Sequence, residues 1–257
     1  MSIKELRERT SAGMIDCKKA WEESNGDMDA AIKLLREKGL AKAVKRAGMD
    51  AAEGAVVTSS KGSSCGMIFF GTETDFVAKN DEFCKFANAI LDEFLNSDVS
   101  DIKDLSKDGQ SFSERLASLA GVIGENIIVK DFAKIKKEEG TEIFVYLHNK
   151  LNDNFDNVGK IGAMINLKGS IDEDSLKGMA MHIASFKPVV FERSSLTKEW
   201  LEAQEKEAVV VGETLESRIK GASLAQQAFL MDPSITFGEF LNKNNLELLD
   251  FKVFSVK

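Results

Sequence analysis

The pattern of apolar and polar residues has a helical period through residues 1–52. Apolar positions recur there at intervals of three and four, in three short stretches separated by residues 10–13 and 25–26. This spacing predicts amphipathic helices. Asp27 is placed to cap the third helix, and we expect Gly39 to end it. The sequence therefore predicts a three-helix bundle, and bundles of this size usually offer an apolar surface to a partner.

After the bundle the pattern changes to that of strands and longer helices. Residues 55–58 and 65–70 are strand-like and are expected to form a hairpin. Helical stripes of apolar residues then follow two N-cap residues, Asn80 and Ser111. Residues 126–134 indicate a further strand. This part of the chain therefore has the order of two strands, helical segments and a strand.

A similar order of elements follows in the remainder of the chain. Residues 142–148 and 160–167 are strand-like, residues 176–183 are helical, and residues 248–256 form a last strand. A charged helical segment at 197–220 interrupts this second copy. The sequence therefore predicts an α+β fold with a helical head and two related sheet halves.

Composition and charge exclude several classes of protein. The 257 residues include 34 Lys and Arg against 42 Asp and Glu, a net charge of −8, whereas nucleic-acid binding needs clustered basic residues. No apolar run approaches the length of a membrane span. The three cysteines form no CxxC motif, and reduced thiols in the cytosol are their simplest interpretation. We expect a cytoplasmic protein without direct DNA or RNA binding and without membrane contact.

Few residues indicate catalytic chemistry, and no metal or cofactor is expected. The sequence contains no phosphate-binding loop, dinucleotide fingerprint or zinc-protease motif. Its two histidines, His148 and His182, exclude most histidine-based metal sites by number. Cys17, Cys65 and Cys84 fall on strand or helix patterns that favour structural packing. A small cysteine enzyme using Cys65 or Cys84 stays as an alternative, although nothing in the spacing supports it.

The segment 71–83 combines features that a simple connector does not need. It lies between a predicted strand and the helix that Asn80 caps, and Phe76 precedes that cap in a polar turn between Asp75 and Lys79. In one interpretation the ring is a hydrophobic staple that packs on the first turn of the helix. In the other it is an aromatic wedge presented to a partner beside a carboxylate. Composition alone favours the staple.

Two long segments closely resemble signatures of the bacterial elongation factor Ts family. Residues 6–20 (LRERTSAGMIDCKKA) resemble its N-terminal signature, and residues 72–80 (TETDFVAKN) resemble its second signature. Shorter matches follow in family order at residues 146–148, 160–162, 180–184, 187–188, 227–229 and 232–234. The resemblance therefore extends over nearly the whole chain.

The resemblance implies a particular domain organisation. The head, residues 1–52, corresponds to a ubiquitin-associated-like (UBA-like) three-helix domain. Residues 53–140 correspond to a first core half, and residues 141–188 with 222–257 correspond to a second. Residues 189–221 correspond to a helical, coiled-coil hairpin inserted in that second half.

The resemblance also implies a function, that of a guanine-nucleotide exchange factor without covalent chemistry. Its partner is elongation factor Tu. The GTPase domain of this partner is implied to contact the head and the first core half, and another domain of the partner is implied to contact the second core half. The turn formed by Thr74, Asp75, Phe76 and Val77 is implied to enter beside the nucleotide site and to help dislodge Mg²⁺. His148 corresponds to a family histidine that packs near Phe76 and supports this entry.

Some features of the chain stay open at this point. Ala12, Gly13 and Met14 form a candidate head loop for contact with the partner. The segment 148–159 is longer and more polar than the glycine-rich turn expected in the family. A homodimer through the hairpin is neither required nor excluded. A generic binding module that recognises another protein through its head is the alternative function.

Overall fold

The computed structural model describes residues 2–10 and 12–256 of the chain. Ser11, which belongs to the predicted break after the first helix, lies outside the described residues. The described helices are α1 (Ile3–Thr10), α2 (Met14–Glu23), α3 (Met28–Arg46), α4 (Asp75–Ala78), α5 (Asp81–Asn96), α6 (Phe112–Ile123), α7 (Glu173–Phe186), α8 (Lys198–Val211), α9 (Leu215–Ala222) and α10 (Phe237–Lys243). The described strands are β1 (Glu53–Lys61), β2 (Ser64–Thr72), β3 (Ser106–Lys107), β4 (Gln110–Ser111), β5 (Ile127–Lys136), β6 (Thr141–Asn152), β7 (Phe155–Lys168), β8 (Ala228–Phe229), β9 (Asp232–Thr236) and β10 (Glu247–Ser255).

The head is the predicted bundle of three helices, α1 to α3. Asn25 and Gly26 have φ of 51° and 81°, and this left-handed backbone separates α2 from α3. Asp27 caps α3, because its side chain accepts the N–H of Ala30 at 2.7 Å. The small core consists of Leu6, Ala12, Cys17, Ala20, Met28, Ala31 and Leu35.

The prediction that Gly39 ends the third helix is wrong. Helix α3 continues through Gly39 to Arg46, so residues 40–46 are its last two turns. Gly39 is buried and faces Gly121 of α6, where the absence of a side chain on Gly121 lets the two backbones approach closely. Lys45 and Arg46 lie in the last turn, where positive charge is favourable for the helix dipole. Gly39 therefore lies at the contact between head and core, and not at the end of a helix.

The sheet confirms the α+β prediction and the similarity of the two halves. In the first half β2 pairs with β1 and with β5, and in the second half β7 pairs with β6 and with β10, always antiparallel. The halves share one six-stranded sheet, because Val56 and Val57 of β1 pair with Gly159 and Val158 of β7. The domain boundaries remain predictions.

Three apolar clusters stabilise the core, and one of them joins the two halves. The first-half cluster lies between the sheet and α5, with Phe70 and Phe83 edge to face at 5.5 Å. A second cluster surrounds α7. The joining cluster contains the buried residues Val56, Cys65, Met67, Met164 and Phe254. Strands of both halves therefore bury side chains against each other.

The charged segment of the second half folds into two helices, α8 and α9. Gly212, with φ of 74°, ends α8, and Thr214 caps α9 by accepting the N–H of Ser217 at 3.1 Å. The base of the pair is tied by a parallel bridge between Val190 and Ser223. In the part of the chain that the structure describes, no helix is both long and apolar enough to cross a membrane.

The prediction that a strand ends at His148 before a polar loop is wrong. β6 continues to Asn152, β7 begins at Phe155, and the two strands form a long hairpin with a register shift between Lys150 and Asn152. Leu151 and Phe155 of this hairpin pack against the first-half core. We call residues 149–157 the hairpin tip.

Candidate functional site

The segment that connects β2 to α5 forms a corner whose middle is the short helix α4. We call residues 72–80 the β2–α5 corner. Val77 and Ala78 are buried, whereas Phe76 on the opposite side of α4 is 79% exposed. An exposed ring does not pack on the first turn of α5, so the structure excludes the hydrophobic staple. The corner presents an isolated aromatic side chain to solvent, which is uncommon for so large an apolar group.

The first half of the corner is fixed by a carboxylate that binds two other parts of the chain. Glu73 receives two hydrogen bonds from Arg46 of α3, at 2.9 Å from Nε and 2.7 Å from Nη2. It also accepts the backbone N–H of Asn126 at 2.5 Å. The Arg46 guanidinium, followed by that N–H, lowers the pKa of Glu73 to about 2. The head and the start of β5 therefore hold the beginning of the corner.

Thr74 is held in the same way by a second carboxylate. Glu125 accepts the Thr74 N–H at 2.9 Å and the Thr74 hydroxyl at 2.8 Å. The Thr72 hydroxyl donates to the Thr74 carbonyl oxygen at 2.7 Å. These bonds fix the backbone immediately before α4, because a bidentate carboxylate restrains both position and direction.

Asp75 lies beside Phe76 and is paired within the corner. Its Oδ2 is 2.5 Å from the Lys79 ammonium, in an i,i+4 pair that is about half exposed. The hydrogen bond from Lys79 lowers the pKa of Asp75, with smaller contributions from the charges of Lys79 and Lys160. Asp75 is therefore ionised at neutral pH, and its pair with Lys79 is weak enough to be exchanged for another partner.

The end of the corner is bound by α5 and by the second core half. Asn80 caps α5 by accepting the N–H groups of Glu82 and Phe83 at 2.9 and 3.3 Å. The Asn152 amide of the hairpin tip donates to the Lys79 carbonyl oxygen at 2.7 Å. The corner is thus restrained by the head, by both halves of the core and by its own helix.

Sequence reasoning identified the corner but missed the residues that hold it. Arg46, Glu125, Asn126 and Asn152 are 27 to 73 positions from their partners in the corner. One local signal was available. Gly124 ends α6 with φ of 88°, and the polar residues Glu125 and Asn126 then precede the apolar start of β5. Asn126 is buried, and a buried polar residue needs hydrogen-bond partners, one of which the corner supplies.

His148 lies within β6, opposite Ile161, and not at a strand end. Its Nδ1 is 3.0 Å from the Tyr146 hydroxyl, and the two rings are tilted with their centroids 6.0 Å apart. These contacts are along its own strand. The supporting role of His148 toward Phe76 therefore stays a prediction.

The head loop divides into buried and exposed residues. Ala12 is buried in the head core, whereas Gly13 is exposed and Met14 is 50% exposed. Ile15, which follows, is 72% exposed. The surface of this loop that can meet another protein is therefore formed by Gly13, Met14 and Ile15.

The described thiols and imidazoles are not arranged for nucleophilic or metal chemistry. Burial raises the pKa of Cys65 to about 12 and that of Cys84 to about 11, so both are protonated at neutral pH. The buried His182 has its pKa lowered to about 4 and bonds Gln227 and the Leu230 N–H. Among residues 2–10 and 12–256, no group of three His, Cys, Asp or Glu side chains could hold a metal ion.

The fold and the corner define an α+β protein that presents a rigid aromatic tip and an adjacent carboxylate to solvent. The family model described as Elongation factor TS matches residues 73–257. The chain therefore belongs to the elongation factor Ts family, a family of translation elongation factors.

Three relatives of the chain have the name Elongation factor Ts. The protein of Thioalkalivibrio sulfidiphilus is 38% identical over 93% of this chain and 85% of its own length. The protein of Idiomarina loihiensis is 35% identical over 99% of this chain and 89% of its own length. The protein of a Shewanella strain (ANA-3) is 37% identical over 97% of this chain and 87% of its own length. The similarity thus includes the head, which precedes the residues that the family model matches.

Proposed function

We propose that this protein is a guanine-nucleotide exchange factor that binds elongation factor Tu in its GDP form, dislodges Mg²⁺ and promotes GDP release. GTP then reloads the partner during translation elongation. The observation that carries the proposal is the exposure of Phe76, 79%, on a corner whose backbone is fixed by Glu73, Thr74 and Asn80. A ring held in this way loses little conformational freedom when it enters a partner.

The proposed mechanism is a free-energy coupling between two ligands of the partner. GDP is held through phosphate contacts that Mg²⁺ bridges. A factor that stabilises a conformation with displaced Mg²⁺ ligands weakens GDP binding, and GDP weakens the factor by the same amount. A 1000-fold mutual weakening requires about 4 kcal/mol. Burial of one phenyl ring supplies about 2 to 3 kcal/mol, so a broad interface must supply the remainder.

Two corner residues act on the partner in this proposal, and two position them. Phe76 enters the partner, and the Asp75 carboxylate competes for polar groups near the metal once it leaves Lys79. Thr74 and Val77 keep α4 in place, since one is bonded to Glu125 and the other is buried. No covalent chemistry and no cofactor of its own are part of this role.

The remaining contacts follow the division of the chain. The head, with Gly13 and Met14 exposed, and the first core half meet the GTPase domain of the partner. The second core half meets another domain of the partner, and His148 supports Phe76 when the complex forms. The protein acts in the cytoplasm in this proposal. Whether two copies associate through α8 and α9 does not affect the mechanism.

A generic binding module is the second candidate, and the exposure of Met14 and Ile15 on the head is the observation that favours it. This candidate gives the β2–α5 corner no role. A pull-down with the complete chain separates the two: recovery of elongation factor Tu supports the exchange factor, and recovery of other proteins without any translational GTPase supports the binding module.

The direct experiment is stopped-flow release of a fluorescent GDP analogue from elongation factor Tu, with and without this protein. The proposal predicts acceleration that grows with factor concentration and then saturates. The acceleration should weaken in excess Mg²⁺, because Mg²⁺ and the factor favour opposite conformations of the partner. A release rate that does not change with the factor would overturn the proposed function.

A further inference from the structure

The hairpin tip, residues 149–157, contacts the corner that carries Phe76 although it belongs to the second core half. The Asn152 amide nitrogen is 2.7 Å from the Lys79 carbonyl oxygen and 2.8 Å from Asp81 Oδ1. The tip therefore binds both the residue that follows α4 and the first residue of α5. Neither contact is needed to form the hairpin itself, since the strand pairing of β6 with β7 does that.

Asn152 is well suited to hold its position. It is 9% exposed, and its Oδ1 accepts the N–H of Asn154 at 2.8 Å, which directs the amide hydrogens toward the corner. The Asn154 side chain also donates to the Asp81 carboxylate, at 3.2 and 3.4 Å. Asn152, followed by Asn154, lowers the pKa of Asp81, so the carboxylate remains ionised and a strong acceptor.

Apolar packing fixes the tip from below. Leu151 and Phe155 pack against the first-half core, and Val158 is buried within it. Because these side chains anchor both strands of the tip, Asn152 is held by the core of one half and by the sheet of the other. A residue that restrains another element must be held more firmly than that element. Helix α4 has only four residues and little stability of its own, whereas the tip is anchored in the core.

We propose that Asn152 is a positioning residue that fixes the direction of Phe76 by holding the Lys79 carbonyl and the Asp81 carboxylate at the junction of α4 and α5. The effect on nucleotide release rests on the proposed function, whereas the effect on the corner itself does not. The polar, extended tip stands in this chain where a short glycine-rich turn was expected. Through Asn152 it couples the second core half to the orientation of the aromatic tip.

The first test is amide hydrogen exchange in the free protein. The N–H groups of Lys79 and Asn80 bond the Phe76 and Val77 carbonyl oxygens and report opening of α4. Asn152→Ala removes the hydrogen bonds to Lys79 and Asp81 and should accelerate exchange of these two amides about tenfold or more. Asn157→Ala is the matched control, because Asn157 lies in the same tip but donates to Thr58 and Asn88. Its effect on the two amides should stay within about twofold.

The second test is a double-mutant cycle that asks whether Asn152 affects GDP release through Phe76. Asn152→Ala should lower factor-stimulated GDP release several-fold, by about three- to tenfold. In the Phe76→Ala background the same change should alter release by less than about twofold. A merely structural loss would lower both backgrounds equally. Asn154→Ala, which removes only the bonds of one side chain to Asp81, should show a smaller effect in the same direction and serves if Asn152→Ala does not fold.

The outcomes separate this proposal from the proposed function. Unchanged exchange at Lys79 and Asn80 in Asn152→Ala would show that Asn152 does not hold the corner. An equal acceleration by Asn157→Ala would show the same. If Asn152→Ala lowers stimulated GDP release equally in the wild type and in the Phe76→Ala variant, Asn152 does not act through Phe76. If the wild-type chain does not accelerate GDP release at all, the proposed function fails, and the exchange measurement still decides whether Asn152 holds the corner.

Discussion

Gly39 of α3 and Gly121 of α6 meet backbone to backbone where the head docks on the first core half. A Cβ atom on Gly121 would collide with the Cα, carbon and oxygen of Gly39. A Cβ atom on Gly39 would lie 3.7 Å from the Gly121 Cα, which is an ordinary contact. The docking of the head therefore depends on the absence of a side chain at Gly121 and not at Gly39.

The first prediction follows from this asymmetry. Gly121→Ala should destabilise the docked head by about 1 to 3 kcal/mol, because backbone atoms of two packed helices must move apart. Gly39→Ala is the matched control and should be neutral or slightly stabilising, since alanine is the better helix former. Limited proteolysis and thermal unfolding measure both effects. Equal stability of the two variants would contradict the close contact.

The same contact explains why part of the fold could not be predicted. A glycine after an apolar stripe normally indicates a helix end, and only the distant Gly121 shows that Gly39 serves a tertiary contact. The N-caps Asn80 and Ser111 and the helical stripes that follow them depend on near neighbours, and those predictions are confirmed. The polar hairpin tip was predicted as a loop because its partners are about 70 positions away, as for Asn152 and Asp81.

The candidate site shows the same division. Phe76 and its neighbours could be identified because they form one continuous segment. The side chains that hold the segment come from α3, from the loop after α6 and from the hairpin tip, so no local pattern connects them. Glu125 illustrates the limit: the sequence shows a carboxylate before a strand, and only the fold brings it to Thr74, 51 positions earlier.

The second prediction concerns the two outward residues of the corner. Phe76→Ala and Asp75→Ala should each slow factor-stimulated GDP release, by about tenfold or more for the ring, since a buried phenyl contributes about 2 to 3 kcal/mol. Stopped-flow measurement of nucleotide release tests this. Circular dichroism should be unchanged, because Phe76 is mostly exposed and buries little on folding.

A matched control for Phe76→Ala is Val210→Ala, which shortens another apolar side chain that is 84% exposed and lies outside the corner. Its stimulation of release should remain within about twofold of the wild type. Unchanged stimulation by a chain that carries both Asp75→Ala and Phe76→Ala would refute the assigned site. His148→Ala should have a smaller effect than either; an equal or greater loss would mean that the imidazole, not the ring, is the main contact.

The third prediction is a pH dependence of stability from His182. The imidazole is fully buried among Phe186, Phe229 and Phe237, and its Nδ1 accepts the Leu230 N–H at 3.1 Å. The single proton therefore lies on Nε2, which donates to Gln227 at 2.8 Å. A second proton would have to displace the Leu230 hydrogen bond in an apolar surrounding. Burial accordingly lowers the pKa of His182 from 6.5 to about 4.

The sign follows from proton binding in the two states. The unfolded chain takes up a proton on this imidazole near pH 6.5 and the folded chain only near pH 4. The contribution of His182 to the free energy of unfolding is therefore fully present above pH 6.5 and is lost as the pH falls toward 4. Between pH 7.5 and 5 the loss amounts to about 2 kcal/mol. Urea unfolding of the wild type and of His182→Gln measures it as a difference. Parallel pH profiles for the two proteins would show that another group is responsible.

The fourth prediction concerns the C-terminal end of α5, the helix that the corner leads into. The Lys134 ammonium of β5 donates to the carbonyl oxygens of Phe94, Ser97 and Val99 at 3.1, 3.0 and 2.7 Å. It also lies 4.3 Å from the centre of the Phe94 ring. A positive charge at this end of a helix is favourable, and all three carbonyl groups lose a charged donor without it, although the Phe94 carbonyl keeps its bond from Ser97.

Lys134→Met should therefore lower the free energy of unfolding by about 2 kcal/mol, while the apolar stem of the side chain is retained. Lys136→Met is the matched control two positions further along the same strand, where the ammonium pairs with a fully exposed Asp98 at 3.3 Å. That exposed pair should contribute less than about 0.5 kcal/mol.

Lys134→Met should also accelerate amide exchange at the last turn of α5. Since Lys79 and Asn80 lie at the opposite end of this helix, exchange of their amides should not change. Faster exchange at those two amides would mean that the corner depends on the whole length of α5, and not on local contacts alone.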